Sequence, residues 1–299
     1  MERAQGPSQP PRPSQPPHPP GRPHSDPQGK DAEGAEAGAS GTGGPSAAPA
    51  GLRVFTRHSA RMLDQLAQDR FGLPPIVLME HAAIHLCAAT LDRLGSRMRD
   101  GVLICCGKGN NGGDGMAAAR LLHNARVPVS LVLCAEAWDH VGEARVHADA
   151  ALHMGLPMQV ASAGDIRGAF DRAWSHLGRP AVILDALTGT GLQTIVEPGA
   201  MLAHLVGAIN DARAAGECAV VAADLPSGLE CDSGRPLIRQ PDGSSTAVRA
   251  DLTVTFAGWK QGFFAPEAQP FLGEVMIAEI GVPTELVEEV GREGPMVQP

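Results

Sequence analysis

The sequence has no tyrosine, and aromatic residues make up only 3% of its 299 residues. Single-stranded nucleic acids stack on aromatic side chains, so this scarcity argues against such a partner. Basic residues are also in the minority, 24 against 33 acidic ones, which gives a formal charge of -9. Binding to duplex phosphates needs clustered lysine and arginine. We therefore expect no nucleic-acid partner.

Cysteines and long apolar segments are scarce as well. The six cysteines contain no C-x-x-C pair, which predicts neither a disulfide framework nor a zinc site. That usage is typical of a reducing compartment, and we expect a cytoplasmic protein. No apolar run approaches the roughly 20 residues that a helix needs to span a bilayer. We expect no membrane partner.

The first part of the chain lacks large apolar side chains. Between Glu2 and Ala50 there is no Val, Ile, Leu, Phe or Trp, and Pro, Gly, Ser and Ala fill most positions. Such a segment cannot bury enough apolar surface to offset the entropy lost on ordering. We predict a disordered tail over residues 1–51 rather than a targeting peptide, which would carry an apolar stretch. One domain is predicted over residues 52–299.

Apolar runs alternate with segments of helical length in that domain. Runs that are apolar throughout predict parallel strands buried on both faces. Helices between them predict a doubly wound, Rossmann-like α/β fold with three αβα layers. The predicted strands are 101–106, 127–134, 158–162, 181–187, 218–224, 252–256 and an edge strand at 273–280, which we expect to be antiparallel. The predicted helices are 56–71, capped by Thr56, and 76–94, 116–125, 143–153 and 199–215.

Three polar segments follow predicted strands, at the edge where such folds bind ligands. They are GKGNNGGDG (107–115), LDALTGTGLQ (184–193) and AADLPSGLECDSG (222–234). The first can present backbone amides to an anion at a helix N-terminus. Its glycines can also be explained by a tight turn that needs positive φ. The segment matches neither the dinucleotide fingerprint nor the P-loop.

The same segments supply oxygen ligands. Asn111, Asp185 and Ser227 would converge if the strand order reverses between the strands at 101–106 and 181–187. An amide oxygen, a carboxylate and a hydroxyl suit a hard cation, and one formal charge favours a monovalent ion. Alternatively, Asp185 caps the loop that follows its strand.

Lysine is rare, and its three positions are informative. Lys30 lies in the predicted tail, whereas Lys108 and Lys260 lie in segments that follow strands. Lys260 comes after the sixth strand and can reach the same cleft, where a compact positive charge is useful.

The motifs GKGNNGGDG, DALTGTG, DLPSG and TFAGWK, together with LMEHAA at 78–83, resemble the YjeF N-terminal domain family. The resemblance runs from about residue 55 to residue 282. It implies the activity of an NAD(P)H-hydrate epimerase, which interconverts the R and S hydrates of NADH and NADPH. A partner dehydratase then repairs the S form.

The resemblance also implies a set of site residues. The hydrated dinucleotide would lie against residues 110–114 and 189–195, with Asp224 facing the hydrated ring. Potassium would be bound by Asn111, Asp185 and Ser227. The implied substrate-binding residues are Asn110, Asn111, Gly112, Gly113, Asp114, Gly189, Thr190, Gly191, Leu192, Gln193, Thr194, Ile195 and Asp224.

The expected mechanism uses Asp224 as general acid and base, with Lys260 tuning it or orienting the water. Potassium would be structural. The resemblance further implies a homodimer and a dehydratase supplied by a separate chain. The alternative is a non-catalytic binding or scaffold module on the same fold. A sugar-kinase-like or nucleotide-hydrolysing domain is disfavoured, because the sequence has no P-loop and no paired carboxylates for Mg²⁺.

Overall fold

A computed structural model describes residues 53–294 of the chain. The predicted tail, residues 1–51, lies outside the described residues. Within residues 53–294 no helix is both long enough and apolar enough to cross a membrane.

The described residues form twelve strands and eight α-helices. The strands are β1 (Arg53–Phe55), β2 (Val102–Cys106), β3 (Val129–Leu133), β4 (Met158–Val160), β5 (Val182–Ala186), β6 (Ala219–Ala223), β7 (Ile238–Arg239), β8 (Ser245–Thr246), β9 (Leu252–Phe256), β10 (Trp259–Lys260), β11 (Glu274–Ala278) and β12 (Arg292–Glu293). The α-helices are α1 (Arg57–Phe71), α2 (Pro75–Leu94), α3 (Asn110–Asn124), α4 (Gly142–His153), α5 (Ile166–His176), α6 (Met201–Ala214), α7 (Gln269–Leu272) and α8 (Thr284–Val290).

Seven strands make one sheet in the order β11-β9-β6-β5-β2-β3-β4. All six neighbouring pairs are parallel. The chain first builds outward from β2 through β3 to β4, then returns to place β5 on the other side of β2. The strand order reverses there, which confirms the doubly wound fold and places the switch point between β2 and β5.

Helices cover both faces of this sheet. Side chains of α2, α3 and α4 pack with Ile104 and Cys106 of β2, whereas those of α5 and α6 pack with Leu103 and Cys105. Successive side chains of a strand point to opposite faces, so a strand covered on both sides is apolar throughout. Burying each leucine or isoleucine side chain contributes about 1.5–3 kcal/mol. This burial explains why the sequence revealed these strands.

The direction of the last sheet strand was predicted wrongly. β11 runs parallel to β9, with Glu274 opposite Leu252 and Ala278 opposite Phe256. The chain between them, residues 257–273, contains β10, a 3-10 turn and α7. A parallel connection needs about a dozen residues or more, and this crossover has that length.

The N-terminal helix begins as predicted. The Thr56 hydroxyl accepts a hydrogen bond from the Ser59 amide at 3.1 Å, and the Ser59 hydroxyl accepts one from the Thr56 amide at 2.9 Å. This reciprocal capping satisfies two amides that a helix start leaves free. α1 then buries Leu63 against α8 and β1, in a small core separate from the two sheet faces.

Four helices end with the same backbone motif, but one does so without glycine. After α1, α4 and α6, a glycine takes positive φ: Gly72 at 66°, Gly155 at 68° and Gly216 at 72°. After α3 the residue is Arg126, at φ 65°. Its amide donates to His123, and the Val127 amide donates to Leu122, both at 3.0 Å. An L side chain in this left-handed conformation is strained.

Arg126→Gly is therefore expected to stabilise the protein by about 1 kcal/mol. Arg126 is exposed, and the glycine would relieve the strain while keeping both hydrogen bonds of the motif. Chemical denaturation should show a higher midpoint with an unchanged slope. Gly72→Arg, at the matching position after α1, should move the midpoint in the opposite direction. An Arg126→Gly protein that is less stable than the wild type would contradict this account.

Candidate active site

A pocket of about 830 Å³ opens at the carboxyl ends of the central strands. Residues that follow strands supply part of its lining: Lys108–Asn111 after β2, 187–192 after β5 and Asp224 after β6. Helices α1 and α2 supply another part, and Lys260 also lines it. The pocket thus lies at the switch point, where this class of fold binds ligands.

The glycine-rich segment belongs mainly to a helix, not to a loop before one. α3 begins at Asn110, directly after its N-cap Gly109, so the predicted start at residue 116 is wrong. No side chain caps this end. The first amides of a helix have no acceptor within it and, with the helix dipole, favour an anion. Because Gly109 and Asn110 line the pocket, these amides are available to a ligand there.

The glycines of this segment allow close packing, not positive φ. Positive φ occurs at none of its five glycines. A Cβ on Gly107 would lie 1.8 Å from the Leu187 carbonyl oxygen, and one on Gly112 would lie 1.8 Å from the Gly107 carbonyl oxygen. The helix can approach the ends of β2 and β5 only because these side chains are missing. Gly112 and Gly113 are buried in that packing rather than lying on the pocket surface.

Gly112→Ala is expected to cost at least about 3 kcal/mol of stability, because the obstruction is backbone and cannot rotate away. Gly109→Ala is the matched control: nothing lies within 4 Å of the position that its Cβ would take, and its φ is ordinary at -88°. Thermal unfolding of both variants would measure the difference. Equal midpoints for the two variants would show that α3 can shift away from the strand ends at little cost.

Asp185 and Ser227 are in direct contact. The Ser227 hydroxyl donates to Asp185 Oδ1 at 2.6 Å, and the Ser227 amide donates to Oδ2 at 2.8 Å. The Leu187 amide also donates to Oδ1, at 3.2 Å, so Asp185 caps the following loop as well. Burial raises the pKa of Asp185 to about 6, and these hydrogen bonds oppose the rise. The contact ties the end of β5 to the segment after β6.

Asn111 lies beside the loop after β5 with its hydrogen-bonding capacity unused. Its Oδ1 and Nδ2 atoms are both buried without a partner among the described residues. Oδ1 lies 3.3 Å from where a Cβ on Gly189 would be, which places it beside the loop after β5. Buried polar atoms are normally paired. An unpaired amide oxygen beside the loop that Asp185 caps fits a cation held by oxygen atoms.

Asp224 has an unusual backbone. Its φ is 67°, a left-handed conformation that only a few per cent of residues other than glycine adopt. The Asp224 amide donates to the Val254 carbonyl at 2.8 Å, and the Phe256 amide donates to Asp224 Oδ1 at 3.2 Å. These bonds to β9 hold the turn and direct the carboxylate into the pocket. Such strain is typical of functional sites.

Lys260 forms an ion pair with Asp224. Its Nζ lies 2.8 Å from Asp224 Oδ1, and only 2% of the Lys260 side chain is exposed. Nζ also donates to Thr255 Oγ1 at 3.0 Å and to the Phe256 carbonyl at 2.8 Å. Buried amines need such compensation. The carboxylate and the ammonium group are therefore fixed relative to each other at the pocket.

The remaining predicted residues divide into two groups. Those that line the pocket are Asn110, Asp114, Gly189, Thr190, Gly191 and Leu192. Those that do not line it are Gln193, Thr194 and Ile195, and Ile195 is half exposed. Burial raises the pKa of Asp114 well above its usual value, and the charges of Asp224 and Asp64 raise it further.

Sequence reasoning missed the part of the lining that comes from α1 and α2. Asp64 and Gln68 of α1 and Met79 of α2 line the pocket. Asp64 is exposed to the water of the pocket. The protein groups around its carboxyl and the charge of Asp224 raise the pKa of Asp64 to about 6, while Lys260 opposes the rise. The only sequence signal was the position of this carboxylate, directly after Leu63, which lies on the apolar face of the helix.

Comparison with known proteins gives a consistent picture. The sequence model of one family, described as YjeF-related protein N-terminus, matches residues 75–262. The NAD(P)H-hydrate epimerase of Pirellula staleyi is 33% identical over 238 residues, covering 80% of this chain and 96% of the relative. The protein of the same name from Rhodopirellula baltica is 34% identical over 238 residues, covering 80% and 88%.

Two further similarities concern a longer protein and a solved structure. The bifunctional NAD(P)H-hydrate repair enzyme Nnr of Moorella thermoacetica is 34% identical over 241 residues, which cover 79% of this chain but 42% of that protein. The crystal structure of yeast ynu0 (YNL200c) matches with a TM-score of 0.60 and 18% identity, covering 83% of this chain and 97% of the yeast chain. At that identity the match concerns the fold.

Proposed function

The chain belongs to the family of YjeF-related protein N-termini, and on that premise we propose that it is an isomerase, an NAD(P)H-hydrate epimerase. It interconverts the R and S forms of hydrated NADH and NADPH, whose nicotinamide ring has gained water. The observation that carries the proposal is the buried Asp224–Lys260 pair at the pocket of the switch point. A module that only binds other proteins has no physical need for such a pair.

The start of α3 binds the pyrophosphate of the substrate. Its free amides and the helix dipole attract an anion, and the backbone can approach closely at Gly109. Lys108 is exposed beside them at the pocket and adds a positive charge. The loop after β5, from Gly189 to Leu192, contacts the ribose or phosphate. The nicotinamide end then lies toward Asp224.

Asp224 moves the proton. Changing the configuration of the hydroxyl-bearing carbon beside the ring nitrogen requires the C–O bond to break and form again. Protonated Asp224 donates to the departing hydroxyl, and ionised Asp224 accepts a proton from the returning water. A positioned acid–base group typically contributes about 10²–10⁴-fold. Lys260 keeps the carboxylate oriented.

Potassium is the proposed cation, with Asn111, Asp185 and Ser227 as its ligands. The unpaired Asn111 oxygen supports this choice, and so does the presence of only one carboxylate, Asp185, among the three ligands, because the set suits one positive charge better than two. Among residues 53–294 no three His, Cys, Asp or Glu side chains cluster as metal ligands. Bound potassium would link the three segments and offset the phosphate charge.

The S hydrate is consumed by a dehydratase, and the relatives named bifunctional NAD(P)H-hydrate repair enzymes support a second repair activity that works with this one. A cytoplasmic location is supported by the free cysteines of the described residues, which pair with no other cysteine.

A homodimer is supported by exposed Val77, Ile84 and Leu91, which lie seven residues apart on one face of α2. Light scattering of the purified chain would measure its oligomeric state.

The decisive assay starts from the purified R hydrate of NADH with an S-specific dehydratase in excess. NADH should form much faster when this protein is added than by spontaneous epimerisation. Replacing potassium with a larger organic cation should weaken that signal, because the larger cation does not fit between Asn111, Asp185 and Ser227. Folded protein that gives no acceleration in potassium would contradict the proposal and favour the non-catalytic alternative.

A further inference from the structure

Epimerisation requires chemistry on both faces of the ring. When the C–O bond breaks, the carbon beside the ring nitrogen becomes planar. The other epimer forms only when water adds to the face opposite the one that the hydroxyl left. A carboxyl fixed on one side reaches a single face unless the ring turns over. The pocket should therefore hold a second proton-transfer group, an expectation that rests on the proposed function.

Asp64 meets the geometric requirement. It lies on α1, whereas Asp224 lies at the end of β6, and both line the same pocket. The two carboxyls thus reach the pocket from different elements of the fold, and Asp64 is exposed. Among the described residues no hydrogen bond engages the Asp64 carboxyl, so it is free for a ligand. Asp224, by contrast, is held by Phe256 and Lys260.

The surroundings of Asp64 suit proton exchange near neutral pH. Its pKa is raised to about 6, so about one molecule in ten carries the proton at pH 7. A carboxyl with a pKa of 3.8 would be almost entirely ionised. The other charged groups that line the pocket are Asp114 of α3, Glu143 of α4, Asp224, Lys108, Arg61 and Lys260.

We propose that Asp64 is a second catalytic carboxyl, which serves the face of the hydrated ring opposite the one that Asp224 serves. One carboxyl, protonated, gives its proton to the hydroxyl as the C–O bond breaks. The bonding electron pair leaves with the oxygen as water, and the ring nitrogen lone pair stabilises the cation. A water then attacks the other face, forming the new C–O bond as the second carboxylate takes its proton. Exchange with solvent restores both carboxyls.

The test follows the hydroxyl oxygen separately from the configuration. Each pure hydrate of NADH is incubated in ¹⁸O-labelled water with wild-type protein, Asp64→Asn or Asp224→Asn, and corrected for the spontaneous reaction. Asp64→Asn should lower inversion by about 100-fold or more. It should still exchange the oxygen of one epimer with retention of configuration, because Asp224 can release and re-add water on its own face. Asp224→Asn should preserve exchange in the opposite epimer.

Two results would overturn the assignment. In one, Asp64→Asn inverts both hydrates at a rate close to wild type. In the other, it loses exchange with both epimers equally, as a structural defect would produce. Asp69→Asn, on the outer side of α1, is the matched control and should behave as wild type. Wild-type protein that is inactive on both hydrates would contradict the proposed function itself, whereas an active wild type tests Asp64 alone.

Discussion

Asp224→Asn is expected to lower kcat for epimerisation by about 10²–10⁴-fold and to leave the fold intact. The amide cannot give up and regain a proton at the reacting carbon. Asparagine, like aspartate, tolerates the left-handed backbone at φ 67°. Its amide oxygen can still accept hydrogen bonds from the Phe256 amide and from Lys260. Steady-state kinetics on a single hydrate, with thermal unfolding of the same sample, would measure both effects.

Two companion variants separate chemistry from structure. Asp224→Ala removes the acceptor as well as the proton, and it should lose both activity and stability, since alanine is strained at positive φ. Asp242→Asn changes an exposed aspartate in the turn between β7 and β8 and should affect neither. If Asp224→Asn kept kcat within about threefold of wild type, Asp224 would have no part in the proton transfer.

The strands of the sheet could be predicted because burial on both faces produces a local sequence pattern, a short run of apolar residues without interruption. Five residues such as Val102–Cys106, all apolar and all buried, indicate a central strand without knowledge of its neighbours. The order of the strands in the sheet produces no such local sequence pattern. The placement of β5 beside β2, and the parallel direction of β11, depend on where distant parts of the chain pack. The sequence therefore predicted the fold class correctly but not the direction of the edge strand β11.

The residues of the candidate site also divide into those that the sequence could reveal and those that it could not. Asp185 could be found because a carboxylate inside a buried strand is costly without a partner. Asp224 and Ser227 could be found because they belong to a polar segment that follows another buried strand. The purpose of Gly112 could not be found, since the obstruction to its side chain is a backbone oxygen that approaches only in the folded protein. Asp64 was missed for a similar reason: α1 reaches the pocket through its packing against α8, more than 200 positions away in sequence.

Lys260→Met is expected to cost about 3 kcal/mol or more of unfolding free energy. Methionine can fill the space of the lysine stem, but it leaves the Asp224 carboxylate without its counterion. The Phe256 carbonyl loses one of its two donors and keeps the hydrogen bond from the Gly258 amide. Contact with pocket water softens the loss, since 12% of the Asp224 side chain is exposed. Lys108→Met, at an exposed lysine, is the stability control and should change the free energy by no more than about 0.5 kcal/mol.

A double variant identifies which lost contact matters. If the unpaired carboxylate causes most of the damage, Asp224→Asn should restore stability to the Lys260→Met protein, with a coupling energy of about 1–3 kcal/mol. Free energies that simply add would instead show that Lys260 stabilises the fold through the carbonyl oxygens of Phe256 and Gly258. In that case Asp224 would owe its orientation to the bonds with β9. The double variant should be inactive in either case, because the proton-transferring carboxyl is gone.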